Sequence, residues 1–175
     1  MRALLATFLV IFATTAQPAS KQEIDAQVRE AIQQFNKHTP AGRELAQKAA
    51  GMLVFPSVIK AGIGIGGEYG EGALVVKGKT VAYYQLAAAS IGFQLGAQER
   101  SQVVLFMNPK ALADFRQSKG WQAGVDGSVA LATLGAGGSI DTETAKQPII
   151  GFIFSNKGLM YNLTFEGSKM TRIER

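Results

Sequence analysis

The chain has 175 residues, a formal net charge of +5 and no cysteine. This length is sufficient for one domain with a sizeable core. The absence of cysteine excludes disulfides, thiolate metal sites, cysteine nucleophiles and a lipid-modified cysteine anchor. A mildly basic domain is biased toward anionic surfaces, but the same charge also serves solubility alone, and composition does not decide between the two.

The first residues have the pattern of a secretory signal peptide. A short basic head precedes an apolar run at residues 3–13. This run is too short to span a bilayer permanently, because a spanning helix needs about twenty apolar residues. Small residues then lead to Ala16 and Ala19, and cleavage after either one fits the pattern. We therefore expect a signal peptide at 1–19 and a single exported domain at 20–175, periplasmic or secreted and peripheral to a membrane.

Three helices are predicted. Apolar residues recur at helical spacing over residues 24–35, with charged and polar residues on the other faces. The Thr-Pro pair at 39–40 is typical of an N-cap followed by a proline at the first helical position, and it predicts a second helix that ends before Gly51. The Asn-Pro pair at 108–109 repeats this signature and predicts a third helix that ends before Gly120.

Short apolar segments separated by Gly, Asn and Lys predict strands elsewhere in the chain. The predicted strands are 52–55, 59–66, 73–76, 81–86, 91–97 and 102–107 before the third helix, and 124–132, 137–140, 149–154, 159–165 and 169–173 after it. Two tight-turn sequences, Lys77-Gly78-Lys79 and Asn156-Lys157-Gly158, predict antiparallel hairpins.

Glycine predicts the shape of the sheet. All but two of the glycines lie in the strand region, and three alternate with isoleucine at Gly62, Gly64 and Gly66. A period of two puts these glycines on one face of a strand, where another backbone can approach closely. We predict an α+β fold with N-terminal helices packed on a strongly curved, Gly-rich antiparallel sheet or partly closed barrel. One helix is inserted between two strand-rich halves.

Residues 62–67 also fit the G-x-G-x-x-G fingerprint of dinucleotide-binding proteins. That motif functions where a strand ends and a helix begins, so that the helix N-terminus holds a pyrophosphate. Here Glu68 and Tyr69 follow, which is no helix start, and residues 86–89 offer no acidic group for a ribose. We therefore expect no nucleotide site.

No residue pattern predicts catalysis, a metal or a cofactor. The single histidine, His38, lies in a polar stretch and is expected to be a solvated loop residue. Glu68 and Glu71 are expected to be exposed charges at a strand end. A hydrolase of envelope polymers that uses Glu68, Glu71 or Glu166 is the weakest of the hypotheses. Basic residues are scattered singly, so nucleic-acid binding is not predicted.

Several segments, taken in order, resemble the SYLF domain. They are FPSVIKAGIGIGGEYGEG, YYQLAAASIGFQLGAQ, FMNPKALADF with SKGW, GVDGSVA and GAGG, and FSNKGLMYNLTFEGSK. The resemblance covers about residues 27–172. It implies a non-enzymatic module that binds phospholipids, including phosphoinositides. Some eukaryotic members, joined to SH3 or FYVE domains, also bind and bundle actin.

Two departures limit what the resemblance implies. An exported bacterial chain meets neither actin nor, normally, phosphoinositides, so we do not expect actin as a partner. Eukaryotic members also place part of their lipid binding in a basic amphipathic N-terminal helix. The corresponding helix here is nearly neutral on its polar face, because Glu23, Asp25 and Glu30 oppose Lys21 and Arg29.

We therefore expect a non-enzymatic phospholipid-binding protein of the bacterial cell envelope. A basic rim would hold anionic headgroups while apolar side chains enter the interface. Each basic group near an anionic surface contributes about 1 kcal/mol, so apolar contacts or a headgroup pocket must add to it. The rim candidates are Lys60, Lys77, Lys79, Arg100 and Lys169. The alternative is a structural or interaction protein of the envelope that pairs with a protein partner through its sheet edges.

Overall fold

Helices open the chain and strands dominate the rest of it. A computed structural model describes residues 18–92, 98–155, 158–160 and 163–175, so residues 1–17 of the predicted signal peptide and the predicted turn at 156–157 lie outside the described residues. In chain order the elements are α1 (Lys21–His38), α2 (Pro40–Lys48), β1 (Gly51–Val76), β2 (Lys79–Gly92), β3 (Gln98–Phe106), α3 (Pro109–Gln117), β4 (Trp121–Gln122), β5 (Ala130–Leu131), a 3-10 turn (Ala136–Gly138), α4 (Thr142–Ala145), β6 (Ile149–Ser155), β7 (Gly158–Leu159) and β8 (Lys169–Ile173).

The strands form one sheet that is strongly curled into a half-barrel. Their order is β4-β8-β2-β1-β3-β6-β5, with β7 paired to β6. Every pair is antiparallel except β5 with β6, which is parallel and was not predicted. The predicted α+β class, the N-terminal helices and the curved sheet are confirmed, and α3 is inserted between β3 and β4 as expected.

The predicted strand bounds are wrong where proline or glycine separates two apolar segments of one strand. The predicted strands 52–55, 59–66 and 73–76 are parts of the single strand β1. An extended glycine continues a strand when its neighbours are hydrogen-bonded to adjacent strands, and local propensity does not register this. In contrast, the predicted strand 137–140 begins in a 3-10 turn, and only Ile140 forms a β-bridge, with Leu134. Helix α4, whose N-cap Asp141 accepts from the Thr144 amide at 2.9 Å, was not predicted.

Strand β1 pairs with two different neighbours along its length. Residues 51–60 pair with β3, and residues 64–76 pair with β2. Between these two parts lies Gly62, whose φ of 148° is in the region that favours glycine. The two parts of β1 lie against each other. The carbonyl oxygen of Val54 approaches Gly72 on the side where a side chain would stand.

Glycines allow this fold-back. A Cβ built on Gly72 would overlap the carbonyl oxygen of Val54, and one built on Gly66 would overlap that of Ala61. A Cβ on Gly70 would lie 2.9 Å from Cγ2 of Val58. These contacts run in opposite chain directions, so the two parts of β1 are antiparallel neighbours. The prediction that the glycine-rich strand permits a close backbone approach is confirmed.

Side chains of β1 and β3 alternate between two cores, which defines an inner and an outer face of the sheet. The inner core receives residues from β1, β2, β3, β4, β6 and β8, and α3 contributes Leu112 and Phe115. The Phe115 ring lies 4.7 Å from that of Phe106 and 4.9 Å from that of Tyr84. The outer core lies beneath α1, whose Ile24, Val28, Ala31 and Phe35 are buried against Val54, Val103 and Phe152.

Helix α1 is capped at its N-terminal end and is hydrogen-bonded to the sheet from its first turns. Ser20 and Glu23 form a capping box, in which the Ser20 amide donates to the Glu23 carboxylate at 2.7 Å. This bond to the Ser20 backbone is the main reason that the pKa of Glu23 is lowered. Further along, Asp25 accepts from Thr80 at 2.9 Å and from Tyr83 at 3.1 Å, which ties the helix to β2.

The turn between β1 and β2 is the one predicted. Lys77 and Gly78 have φ values of 51° and 75°, and Val76 pairs with Lys79. Two consecutive residues with positive φ match the right-handed twist of a two-residue hairpin.

Candidate functional site

The predicted basic rim does not form one surface. Lys77 and Lys79 are exposed at the β1–β2 turn, while Lys60 is half-buried near the fold-back in the middle of β1. The distance from the fold-back to the turn is about 30 Å along the strand at 3.3 Å per residue. Lys169 is exposed on β8, where it pairs with Ala87. Since Ala87 pairs with Tyr69, Lys169 lies two strands from Tyr69. The lysines therefore lie in two regions, Lys77 and Lys79 at the turn and Lys60 and Lys169 toward the fold-back, and their lipid binding stays a prediction.

Arg100 is not the exposed rim residue that the sequence led us to expect. Its neighbours Glu99 and Ser101 point to the outer face, so Arg100 points inward, where it is only 4 % exposed. Its guanidinium forms an ion pair with Glu68, while its Nε has no hydrogen-bond partner among the described residues. A buried, paired arginine cannot meet a headgroup at the surface without breaking this pair.

The expectation that Glu68 and Glu71 are exposed charges is also wrong. Both are in ion pairs, Glu68 with Arg100 and Glu71 with Arg175. Since they are an odd number of residues apart on one strand, they point to opposite faces of the sheet. They therefore do not form an acid/base pair.

Tyr69 completes the second of these clusters. Its hydroxyl donates to the Glu71 carboxylate at 2.8 Å. Burial raises the pKa of Tyr69, and the hydrogen bond to Glu71 acts in the same direction because it favours the protonated phenol.

Exposed apolar side chains gather near the fold-back of β1, on its outer face. Ile59, Ile65 and Tyr69 are 50 %, 79 % and 48 % exposed, respectively. Ile65 and Tyr69 are four positions apart and so share a face, and Ile59 lines the same cleft as Tyr69. We call residues 59–69 the tip. The alternation around Ile65 was visible in the sequence, but its exposure depends on the fold-back, which was not.

A polar cleft lies between α1 and the outer face of the sheet. We call it the α1 cleft. Its volume is about 390 Å³, within the range of small-ligand sites. The residues that line it are Gln27, Glu30, Ala31, Gln34, Pro56, Ser57, Glu99, Ser101, Phe154 and Ser155. A neighbouring cleft of about 360 Å³ shares Gln27 and Ser57 and extends to Tyr69 and Arg175.

The α1 cleft exists because β1 bulges beside it. The register of β1 on β3 shifts between Phe55 and Val58, which displaces Pro56 and Ser57 from the ladder. Ser57 then donates to Oε1 of Glu99 at 2.6 Å, and Ser101 donates to the carbonyl oxygen of Pro56 at 2.7 Å. Sequence reasoning missed this site. Pro56 was the available signal, because proline within a sheet is confined to edges, strand starts and bulges, but it fell in a gap between two predicted strands.

Within residues 18–92, 98–155, 158–160 and 163–175, no group of three or more His, Asp or Glu side chains is placed to hold a metal ion. In the same part of the chain, no helix has both the length and the apolar character needed to cross a bilayer. The candidate sites among the described residues are the exposed apolar tip and the open clefts, and such surfaces are typical of a binding domain.

Comparison with known families agrees with this class. The family model described as "Ysc84: Las17-binding protein actin regulator" matches residues 87–174. The chain belongs to this family, and the resemblance to the SYLF domain is thereby confirmed. It is a family of binding domains and not a known enzyme family. No curated protein matches the chain.

Proposed function

We propose that the protein binds phospholipid surfaces of the bacterial cell envelope by inserting its tip into the interface. The carrying observation is the group of exposed side chains Ile59, Ile65 and Tyr69 on one face of the tip. Membership of a family of lipid- and actin-binding proteins supports a lipid or protein partner, and the apolar tip favours the lipid.

Apolar contact would supply most of the affinity. Full burial of one isoleucine contributes about 1.5–3 kcal/mol, so two isoleucines and a tyrosine give several kcal/mol before the cost of association. Tyrosine also suits a position at the interface, because one end of its side chain is apolar and the other is polar.

Charge would add a smaller part. Near the tip, Arg100 and Arg175 are neutralised by Glu68 and Glu71. This leaves Lys60 and Lys169 as the basic residues of the predicted rim in this region, since Lys169 lies two strands from Tyr69. One or two lysines contribute about 1 kcal/mol each at an anionic surface. We therefore expect a modest preference for anionic lipid that weakens as salt rises.

The location rests on the sequence. A basic head, an apolar run and small residues at Ala16 and Ala19 support export, and the exported chain would meet the outer surface of a membrane. The family description concerns actin regulation, but an envelope location would separate this chain from actin.

Vesicle co-sedimentation tests the proposal. Wild type should sediment with anionic vesicles, less with neutral vesicles, and less again at high salt. Ile65→Ser should lose most of the binding to both kinds of vesicle. Val125→Ser is the matched control, since Val125 is 74 % exposed and lies outside the tip. Equal binding by the wild type and Ile65→Ser would refute tip insertion.

Pairing with a protein partner through sheet edges has less support in the described part of the chain. The edge strands β4 and β5 have two residues each, so they offer few free backbone groups. If the protein oligomerises with concentration and ignores lipid, this alternative replaces the proposed one.

A further inference from the structure

The α1 cleft is not needed for tip insertion, and its chemistry differs from that of the tip. Three of its polar side chains, Gln27, Glu30 and Gln34, come from one face of α1. Opposite them stand Ser57 on the β1 bulge and two residues of β3, Glu99 and Ser101. The apolar residues Ala31, Pro56 and Phe154 complete the lining.

The hydrogen bonds of the two serines determine what they offer to a ligand. Ser57 must donate to Glu99, since a carboxylate oxygen accepts, and Ser101 must donate to the carbonyl oxygen of Pro56 for the same reason. Each hydroxyl has a single proton, and that proton is used. Both serine oxygens therefore present only acceptor lone pairs to the cleft.

The charge of the α1 cleft also favours a ligand that donates hydrogen bonds. Glu30 and Glu99 are its charged lining residues, and no lysine or arginine is among the described residues that line it. Arg100 lines a smaller adjoining cleft that shares Glu99 and Ser101 with this one, but its charge is paired with that of Glu68. The α1 cleft is thus negative, and its two carboxylates and two serine oxygens are acceptors.

We propose that the α1 cleft binds a small organic ammonium ion, a primary ammonium group on a short carbon chain. Such a group has three N–H donors and a positive charge, which match the acceptors and the two carboxylates. Its methylene groups would lie against Phe154 and Pro56. The same chemistry occurs in free amines and in the ethanolamine headgroup of a phospholipid. The inference goes beyond membrane insertion, because it requires no membrane.

Titration with ethanolamine, followed by the amide NMR signals of Ser57, Ser101 and Phe154, tests the proposal. Ethylene glycol is the matched probe, since it replaces the ammonium by a hydroxyl of similar size. We expect saturable shifts with ethanolamine and none with ethylene glycol at the same concentration. Glu99→Gln should raise the Kd about threefold to fivefold, the effect of removing one partly exposed charge partner. The double variant Glu30→Gln/Glu99→Gln should raise it about tenfold.

Glu143→Gln is the control variant. Glu143 is exposed on α4, pairs with Lys146 and does not line the cleft, so its replacement should leave the Kd unchanged. Equal thermal unfolding of all variants would show that the loss of binding is not a loss of folding. Equal shifts with ethylene glycol, or an unchanged Kd in the double variant, would overturn the proposal.

Vesicles distinguish the two sources of the ammonium. Phosphatidylethanolamine has N–H donors, whereas the quaternary ammonium of phosphatidylcholine has none. A preference for phosphatidylethanolamine vesicles that Glu99→Gln removes would assign the cleft to the lipid headgroup. Binding of ethanolamine without that preference would assign it to free amines. If neither appears, the proposal is wrong, while the effect of Ile65→Ser on vesicle binding still reports on tip insertion separately.

Discussion

The folded middle of strand β1 and its two ends are built on different principles. At the two ends, which lie beside each other and which we call the base, Gly51 pairs with Phe106, Val76 leads into the β1–β2 turn, and α3 covers the inner core. At the tip, glycines bring two backbone segments together and isoleucines remain exposed. Side-chain packing stabilises the base, whereas close backbone contacts at glycines and ion pairs stabilise the tip. The base therefore contributes most to stability, and the tip presents the candidate binding surface.

The largest difference in stability should come from truncating one apolar residue at the base and one at the tip. Phe115 is buried among Phe106, Tyr84 and Trp121, so Phe115→Ala should lower the free energy of unfolding by about 3–5 kcal/mol. Ile65→Ala at the tip should change it by less than about 0.5 kcal/mol, because this side chain is already in solvent. Chemical denaturation measures both. Similar losses of unfolding free energy at the two positions would mean that Ile65 is packed, which would contradict an exposed tip.

A methyl group added at a glycine of β1 should test the close approach of the two parts of the strand. Gly72→Ala should cost about 3 kcal/mol, because its Cβ would overlap the carbonyl oxygen of Val54, and backbone cannot move aside as a side chain can. Gly67→Ala is the matched control on the same strand. Its Cβ would meet only the carbonyl oxygen of Ala88 at 3.7 Å, an ordinary contact. We expect Gly67→Ala to be neutral or stabilising by up to about 1 kcal/mol. Should Gly72→Ala unfold like the wild type, the fold-back is looser than described.

The buried ion pair near the tip should respond differently to single and double replacement. Glu68→Gln removes the charge that neutralises Arg100 in the inner face, and should cost about 2 kcal/mol. The double variant Glu68→Leu/Arg100→Met removes both charges and should unfold within about 1 kcal/mol of the wild type. Denaturation of the single and double variants gives the coupling energy. Additive losses would show that the two groups act independently.

Elements with local signals were predicted from the sequence. Asn108 and Pro109 mark the start of α3 directly, because a cap and a first-turn proline act within a few residues. The Lys77-Gly78 turn was predicted for the same reason. The fold-back of β1 was not, since it depends on the backbone of Val54 meeting Gly72, two residues that are distant in sequence.

The candidate site residues were likewise predicted where the signal is local and missed where it depends on a residue distant in sequence. Lysines that lie in a turn, such as Lys77 and Lys79, are exposed as expected. The burial of Arg100 was missed, because it depends on a partner, Glu68, on another strand. A charged residue on a strand has no local signal that separates an exposed charge from a buried pair.

The smallest expected effect concerns pH at the tip. Tyr69 donates to Glu71 across a partly exposed surface, so Tyr69→Phe should cost only about 0.5 kcal/mol near neutral pH. Because burial and Glu71 raise the pKa of Tyr69 in the folded state, the protonated phenol is the stabilising form. Its contribution is therefore complete below the ordinary phenol pKa of about 10 and is lost as pH rises through the higher folded-state value. Denaturation of the wild type and Tyr69→Phe from about pH 8 to about pH 11 should show the difference between their free energies of unfolding shrinking as pH rises. The other tyrosines titrate in both proteins and cancel from the difference. A difference in the free energy of unfolding that stays constant across this range would mean that the Tyr69 hydroxyl does not donate to Glu71. This hydrogen bond would then not stabilise the tip.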